Sequence, residues 1–342
     1  MNIPDLKQKI DLLVRWQTQT EAGQKTMALF DWPQGVALFA LYLYAKEEND
    51  KALTEYLYRW FDAWIAKGLP GKNINSMAPM LTLSFLYEDT KKNSYLEICN
   101  EWLEYAMHSL PRTEEGGLQH ITIDADNTAQ LWDDTLYMTV LFIARMGRLL
   151  SRDDCVQESI RQFLVHIKYL SDPVTGLFFH GWTFLEKHHF AGALWGRGNA
   201  WYTAGLVDYL ELAEIPEGVK WFLVSTLKRQ ADALKEMQAE NGMFHTLLDD
   251  PGSYQESSAT AGFAYGILKA VRIGLLPESY REVGGKAAAA VAARVLPSGE
   301  LKEVSAGTCL RMDKDYYRNI PLRPCPYGQS MALLALVEAG KC

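Results

Sequence analysis

The chain lacks most of the signatures by which a function is read directly. Its five cysteines, Cys99, Cys155, Cys309, Cys325 and Cys342, are odd in number and never spaced C-x-x-C. That excludes a cysteine-ligated zinc site and a disulfide framework, and it predicts free thiols in a reducing compartment. No H-E-x-x-H occurs, and His188 and His189 are adjacent and therefore splayed, so no metal and no cofactor is expected. The phosphate-binding G-x-x-x-x-G-K-[ST], the nucleophile elbow G-x-S-x-G and the strand-glycine-helix nucleotide fingerprint are all missing. Asp124-Ala125-Asp126-Asn127 has a calcium-like composition without EF-hand spacing and reads as a solvated loop. There is no dense Lys/Arg stripe, and a formal charge of −8 argues against a nucleic-acid partner. Neither the N-terminal ten residues nor any later stretch forms a long apolar run, so no membrane association is expected and the protein reads as cytoplasmic. No linker rich in Pro, Gly or Ser and no charge block divides the chain, which predicts one domain over 1–342.

What is present is helical periodicity. With 48% hydrophobic and 22% charged residues a packed core is expected. Apolar residues recur at three- and four-residue spacings over about twelve segments: 4–20, 32–46, 49–67, 75–88, 91–108, 129–149, 152–170, 195–213, 217–240, 256–273, 276–295 and 326–340. Short joins near 48, 90, 150, 215 and 274 alternate with long ones at 109–128, 171–194, 241–255 and 296–325. Short joins make antiparallel pairs, and long loops then collect on one side. The expected fold is all-α, an (α/α)6 toroid of six helical hairpins with short β-strands in the mouth loops; an open solenoid of hairpins is the competing architecture.

The long loops resemble one another. Gly-Gly-Leu-Gln-His ends at His120, Thr-Gly-Leu-Phe-Phe-His at His180 and Asn-Gly-Met-Phe-His at His245, while Ser298-Gly299-Glu300-Leu301 is a degenerate fourth copy. Their glycines recur once per helical hairpin plus loop, the mark of a repeat architecture. Each copy reads as a turn followed by a short strand, an arrangement that can aim the three histidines at a common centre or simply hydrogen-bond them within the loops.

Leu131-Trp132-Asp133-Asp134-Thr135-Leu136-Tyr137-Met138 places two adjacent carboxylates on an otherwise apolar helix with a plausible opening at Asn127 or Thr128. Asp134 shares a face with Leu131, Met138 and Leu141, and Asp133 points about 100° away. Burial raises a carboxyl pKa and a helix N-terminus lowers it, so Asp134 is a candidate to hold and release a proton; two aspartates improving a helix start is the plainer alternative. Trp195-Gly196-Arg197-Gly198-Asn199-Ala200-Trp201 closes the long loop 171–194 and sets two aromatic faces, a guanidinium and an amide within two turns. A planar fork suits a sugar carboxylate and an indole suits the apolar face of a sugar ring, although a helix entry with core tryptophans accounts for the same residues. Asn75, ahead of Pro79, reads as an N-cap whose amide could also face a ligand.

In order, Gly117-Leu118-Gln119-His120, Trp132-Asp133-Asp134-Thr135-Leu136-Tyr137-Met138, Phe179-His180-Gly181-Trp182 and Trp195-Gly196-Arg197-Gly198-Asn199-Ala200-Trp201 resemble the unsaturated rhamnogalacturonyl hydrolases of glycoside hydrolase family 105. The similarity runs from about Asn73 to Pro326-Tyr327-Gly328-Gln329. It implies an (α/α)6 toroid acting on oligosaccharides left by pectin lyases, which carry a 4,5-unsaturated galacturonic acid at the non-reducing end. By that resemblance Asp134 is the general acid and base, protonating C4 and activating the water that adds at C5, after which the hemiketal opens and releases the next sugar. The substrate-contacting set it implies is Asn75, His120, Asp133, His180, Trp195, Arg197, Asn199 and Trp201. Some relatives have His-Lys where this chain has His120-Ile121, and some carry an aspartate within the stretch that here reads Asn73 to Ser76. The alternatives are the same hydration on a glycosaminoglycan- or ulvan-derived uronide, and a non-enzymatic helical-repeat scaffold.

Overall fold

The computed structural model describes residues 3–342. Helices α1 (Leu6–Gln19) and α2 (Glu21–Thr26) lead into five hairpins. These are α3 (Trp32–Glu47) with α4 (Lys51–Lys67), α5 (Ala78–Thr90) with α6 (Asn93–His108), α7 (Leu141–Leu150) with α8 (Asp153–Leu170), α9 (Gly196–Leu212) with α10 (Glu217–Met237), and α11 (Ser257–Arg272) with α12 (Arg281–Ala293). A short α13 (Lys314–Arg318) precedes the final α14 (Pro326–Gly340).

Burial sorts these helices into two layers. Every residue of α9 from Gly196 to Tyr209 and of α11 from Ser257 to Val271 is buried. In α10 only the Leu223, Thr226, Leu227, Gln230, Ala231 and Leu234 stripe is, at the three- and four-residue spacing of a one-faced helix. Helices buried all round must have neighbours on every side. The inner helices accordingly pack in the sequence α3, α5, α7, α9, α11, α14, and α14 returns onto α3 to close the ring. The open solenoid is therefore excluded. The sixth hairpin is built from the two ends of the chain, α14 packing on α1, where buried Gln17 Nε2 donates to Pro326 O at 2.9 Å and to Ser330 Oγ at 2.8 Å.

The four glycine turns recur as one structure. In the first, third and fourth copies the glycine N–H donates to the carbonyl three residues before it, Gly116 N to Thr113 O, Gly242 N to Ala239 O and Gly299 N to Leu296 O, each 2.8–2.9 Å; in the second, Gly176 N reaches four back to Asp172 O at 2.7 Å. Gly116, Gly176, Gly242 and Gly299 all have φ between 72° and 89°, a left-handed backbone that side chains disfavour. The fourth residue of the next inner helix then ties down three of these turns: Asn199 Oδ1 accepts from Phe178 N, Thr260 Oγ1 from Phe244 N, and Gln329 Oε1 from Leu301 N.

The main departure from the sequence reading lies at 129–149. Gln130–Trp132 form a strand, β1, paired antiparallel with β2 (Gly181–Thr183) in the register Gln130–Thr183, Leu131–Trp182 and Trp132–Gly181. The helix opens only at Asp134, beyond Asn127 and Ala129 in left-handed turns, and widens into a π-helical segment at Leu136–Val140 before α7. A distant strand partner overrides the local helical pattern, and a π segment is a common companion of a functional site. Helix α5 begins at Ala78 rather than 75, a 3-10 turn at Glu278–Tyr280 shortens the helix expected over 276–295, and α2 and α13 are additional. Among the described residues no helix is long and apolar enough to cross a membrane.

Candidate active site

The mouth loops surround a cleft of about 890 Å³, within the roughly 300–1,000 Å³ typical of small-ligand sites. Asn75, His120, Trp132, Asp134, Trp195 and Arg197 all contribute to its wall. The β1–β2 pair is what assembles its floor. Asp133 N donates to His180 O at 3.1 Å and His120 N donates to Gln130 O at 3.1 Å, so the ends of two mouth loops converge on the start of one inner helix.

Trp132 is the wedge between the two histidines. The His120 ring stacks on it with centroids 4.3 Å apart and planes 3° from parallel, and His180 meets it edge-on at 5.4 Å. His120 Nδ1 is held by Thr135 Oγ1 at 2.8 Å and His180 Nδ1 by Tyr317 OH at 2.8 Å. His180 Nε2 then lies 3.3 Å from Asp134 Oδ2, close enough for charge contact though out of line for a good hydrogen bond. His245 does not join them: its Nδ1 bonds Ser253 O within its own loop. The expectation of three convergent histidines holds for two.

The two aspartates have separate environments. Asp133 is fully buried, because the helix opens later than the periodicity suggests and this side chain turns into α9. A Cβ at Gly198 would overlap its carboxylate, so the first turn of α9 accommodates Asp133 only because Gly198 has no side chain. Burial, and then the charge of Asp134, push the Asp133 carboxyl well above its ordinary range. Asp134 faces the cleft. Its burial works to raise its pKa, but His180 foremost, with His120 and Asp133, outweighs that and holds it below the ordinary carboxylate range. Burial thus favours the proton on Asp133 and the histidines favour the charge on Asp134, the carboxyl that the sequence offers as the one to hold and release a proton. Both histidines are depressed by burial, His120 to about 3, which favours their neutral forms. Asp133, Asp134 and His180 also bring ligand-type atoms within 4.8 Å of one another. A cation there would have to displace the proton favoured by buried Asp133.

Arg197 reaches the cleft but its fork is engaged. Nη1 donates to Ser305 O at 2.9 Å and to Ser305 Oγ, and Nη2 to Ala306 O at 2.8 Å and Thr308 Oγ1 at 2.9 Å. Trp195 and Tyr327 cover its two faces at 4.5 and 4.8 Å. Four of its five N–H bonds thus go to this loop and Nε–H has no partner, so a bidentate grip on a substrate carboxylate through the Nη pair would compete with Ser305, Ala306 and Thr308. Asn199 is likewise a clamp: Nδ2 donates to Phe178 O and Trp195 O, and Oδ1 accepts from Phe178 N, leaving nothing for a sugar. Trp201 is buried behind Trp32 and Tyr137, off the cleft wall. Asn75 does line the cleft but caps no helix: α5 has no side-chain cap, and Asn73 Oδ1 accepts from Asn75 N and Ser76 N in the turn before it.

Several wall residues were not anticipated. Trp32 stands on Tyr327 at 4.5 Å and presents an indole to the cleft, and Trp32-Pro33 opening a helix was the available signal. Arg311 and Arg323 line the same cleft without a carboxylate partner among the described residues, and nothing local in their sequence marks them. Tyr317, behind His180, sits on a five-residue helix too short for periodicity to reveal.

The profile of Glycosyl Hydrolase Family 88 matches residues 9–342. An unsaturated rhamnogalacturonyl hydrolase, YesR, of Bacillus subtilis (strain 168) is 35% identical over 316 residues, 91% of this chain and 90% of that protein. A solved structure described as a possible member of the GH105 family from Salmonella enterica subsp. enterica serovar Paratyphi A superposes with a TM-score of 0.94 at 43% identity, over 99% of this chain and 94% of that one. A family 105 glycoside hydrolase of C. acetobutylicum ATCC 824 superposes with a TM-score of 0.84 at 23% identity, over 97% and 99% of the two chains, a likeness of fold.

Proposed function

This chain belongs to Glycosyl Hydrolase Family 88, and from that membership we propose that it is an unsaturated rhamnogalacturonyl hydrolase, releasing 4,5-unsaturated galacturonic acid from the non-reducing end of rhamnogalacturonan oligosaccharides. The observation that carries the reading is the placing of two neighbouring carboxylates, Asp133 buried against Gly198 and Asp134 open to the cleft with His180 Nε2 3.3 Å away. In this reading the ring of the unsaturated sugar lies against Trp32 or Trp195, and Arg311 and Arg323 are the cations open to its carboxylate. A carboxylate arriving near Asp134 adds a like charge, which raises the proton affinity of Asp134, so that it takes up a proton from solvent and becomes the acid. Asp134 then protonates C4, takes a proton back from the water that adds at C5, and the resulting hemiketal opens to expel the neighbouring sugar. This is hydration of an enol ether, so the two-carboxylate spacing of ordinary glycosidases does not govern it. The five cysteines, all free, support a reducing, cytoplasmic setting for this reaction.

The test is incubation with an unsaturated rhamnogalacturonan disaccharide while following the ultraviolet absorbance of the conjugated double bond. The expected result is loss of that absorbance with release of the reducing sugar. Unchanged absorbance with folded protein would remove the assignment, and turnover confined to glycosaminoglycan- or ulvan-derived uronides in the same panel would move it to the other substrate class.

A further inference from the structure

We propose that Tyr317 is a positioning residue that fixes the tautomer of His180, so that Nε2, the nitrogen beside the Asp134 carboxylate, carries the hydrogen. Tyr317 is fully buried, its OH is 2.8 Å from His180 Nδ1, and its ring meets the imidazole edge-on at 5.6 Å. The contact is specific in direction. A neutral imidazole has one N–H and one lone pair, and whichever nitrogen accepts leaves the other to donate. If Nδ1 carried the hydrogen and donated to Tyr317, the lone pair of Nε2 would face Asp134 Oδ2 at 3.3 Å, two electron-rich atoms in contact. If Tyr317 donates to Nδ1, Nε2–H faces the carboxylate and both contacts are attractive. Burial also pushes the Tyr317 phenol up, so that it keeps the hydrogen it donates.

The arrangement parallels the one across the wedge of Trp132, where Thr135 Oγ1 occupies His120 Nδ1. The two differ in what holds them. Thr135 is one residue from Asp134, whereas Tyr317 comes from α13 in the last long loop, far away in the chain. The loop that closes the cleft wall with Leu310 and Arg311 thus also orients the histidine beside Asp134. A displacement of α13 would release His180 to rotate or exchange tautomer, coupling the seating of this loop to the state of Asp134.

The kinetic consequence rests on the uronyl hydrolase reading, but the tautomer does not, so the two fail separately. Protein labelled with 15N in its histidines, compared with His180→Gln to assign the signal, reports the protonated nitrogen through long-range ring couplings without any substrate. Wild type is expected to show His180 as the Nε2–H form, and Tyr317→Phe, which keeps the ring and removes the hydroxyl, is expected to shift it toward the Nδ1–H form. On the unsaturated disaccharide kcat should then fall about 10- to 100-fold, as when an outer partner of a site histidine is lost, with KM changed far less. An Nδ1–H signal in wild type overturns the proposal. So does a Tyr317→Phe protein that keeps both the Nε2–H signal and wild-type kcat.

Discussion

The Asp133 carboxylate occupies the space that any side chain at Gly198 would need. The contact joins the opening of one inner helix to the opening of the next, and it is the reason Asp133 can be buried beside Asp134 without steric conflict. Replacing Gly198 by alanine forces the carboxyl aside, and with it the strand–helix junction that presents Asp134. A displacement near 1 Å in such a site costs about 100-fold in rate. Gly198→Ala is therefore expected to lose activity on the unsaturated disaccharide by about that factor while remaining helical. Wild-type kcat in the variant would mean that Asp133 can move without consequence.

Arg197→Lys tests whether the guanidinium serves the fold or the ligand. The fork holds Ser305, Ala306 and Thr308, all more than a hundred residues away, between two aromatic faces. Lysine keeps the charge but cannot span these acceptors. Loss of charged hydrogen bonds should lower stability by about 1.5–3 kcal/mol, read from denaturant midpoints. A variant as stable as wild type but with a strongly raised KM would return Arg197 to the role of substrate carboxylate ligand.

These two residues show how far the sequence could be read. The ring was legible because its causes are local: helical periodicity marks each helix, join length marks each hairpin, and a glycine with left-handed φ marks each repeated turn. The motif around Trp195 was also visible, but its residues divide between wall, clamp and core according to partners elsewhere in the chain. Asn199 reaches back to Phe178 and Arg197 reaches forward to Ser305, and no local pattern encodes either reach. His245 carries the same turn as His120 and His180 yet bonds within its own loop, because the repeat specifies the turn and not its target. The strand at Gln130–Trp132 was read as helix for the same reason: its partner, Gly181–Thr183, is some fifty residues away.

His166 supplies a prediction about pH and stability. It is buried in α8 with Nδ1 on Gln162 O at 2.7 Å and no partner for Nε2, and burial brings its pKa down to about 4 against 6.5 for an ordinary histidine. Between those values the unfolded chain binds a proton that the folded chain does not. Stability is thus fully present above pH 6.5 and is lost as pH falls toward 4, at up to about 1.4 kcal/mol per unit. Buried Asp133, whose pKa is raised, contributes with the opposite sign, so the comparison must be a difference. Wild type minus His166→Gln should lose stability progressively from pH 6.5 to 4.5. A difference independent of pH would show that His166 is protonated in the fold.

The decisive pair is Asp134→Asn and Asp133→Asn. The Asp134 carboxylate is the ionised group at the cleft, and an amide of the same size can neither deliver a proton to C4 nor accept one from water. General acid–base catalysis contributes roughly 10²–10⁴-fold, and in the proposed mechanism one group serves both steps, so Asp134→Asn should lose at least that much. Asp133 is different because burial and its neighbour keep it in the neutral acid form. A neutral amide is close to that form in shape and charge, so Asp133→Asn should fold normally and retain a larger share of the activity, with any change expressed through the pKa of Asp134. Both variants are compared by loss of the double-bond absorbance, with helical content checked by circular dichroism. An inactive, folded Asp133→Asn beside a nearly wild-type Asp134→Asn would reverse the roles of the two carboxylates. Full activity in both would mean that the strand–helix junction serves the fold alone, and that the proton enters the substrate from another group on the cleft wall.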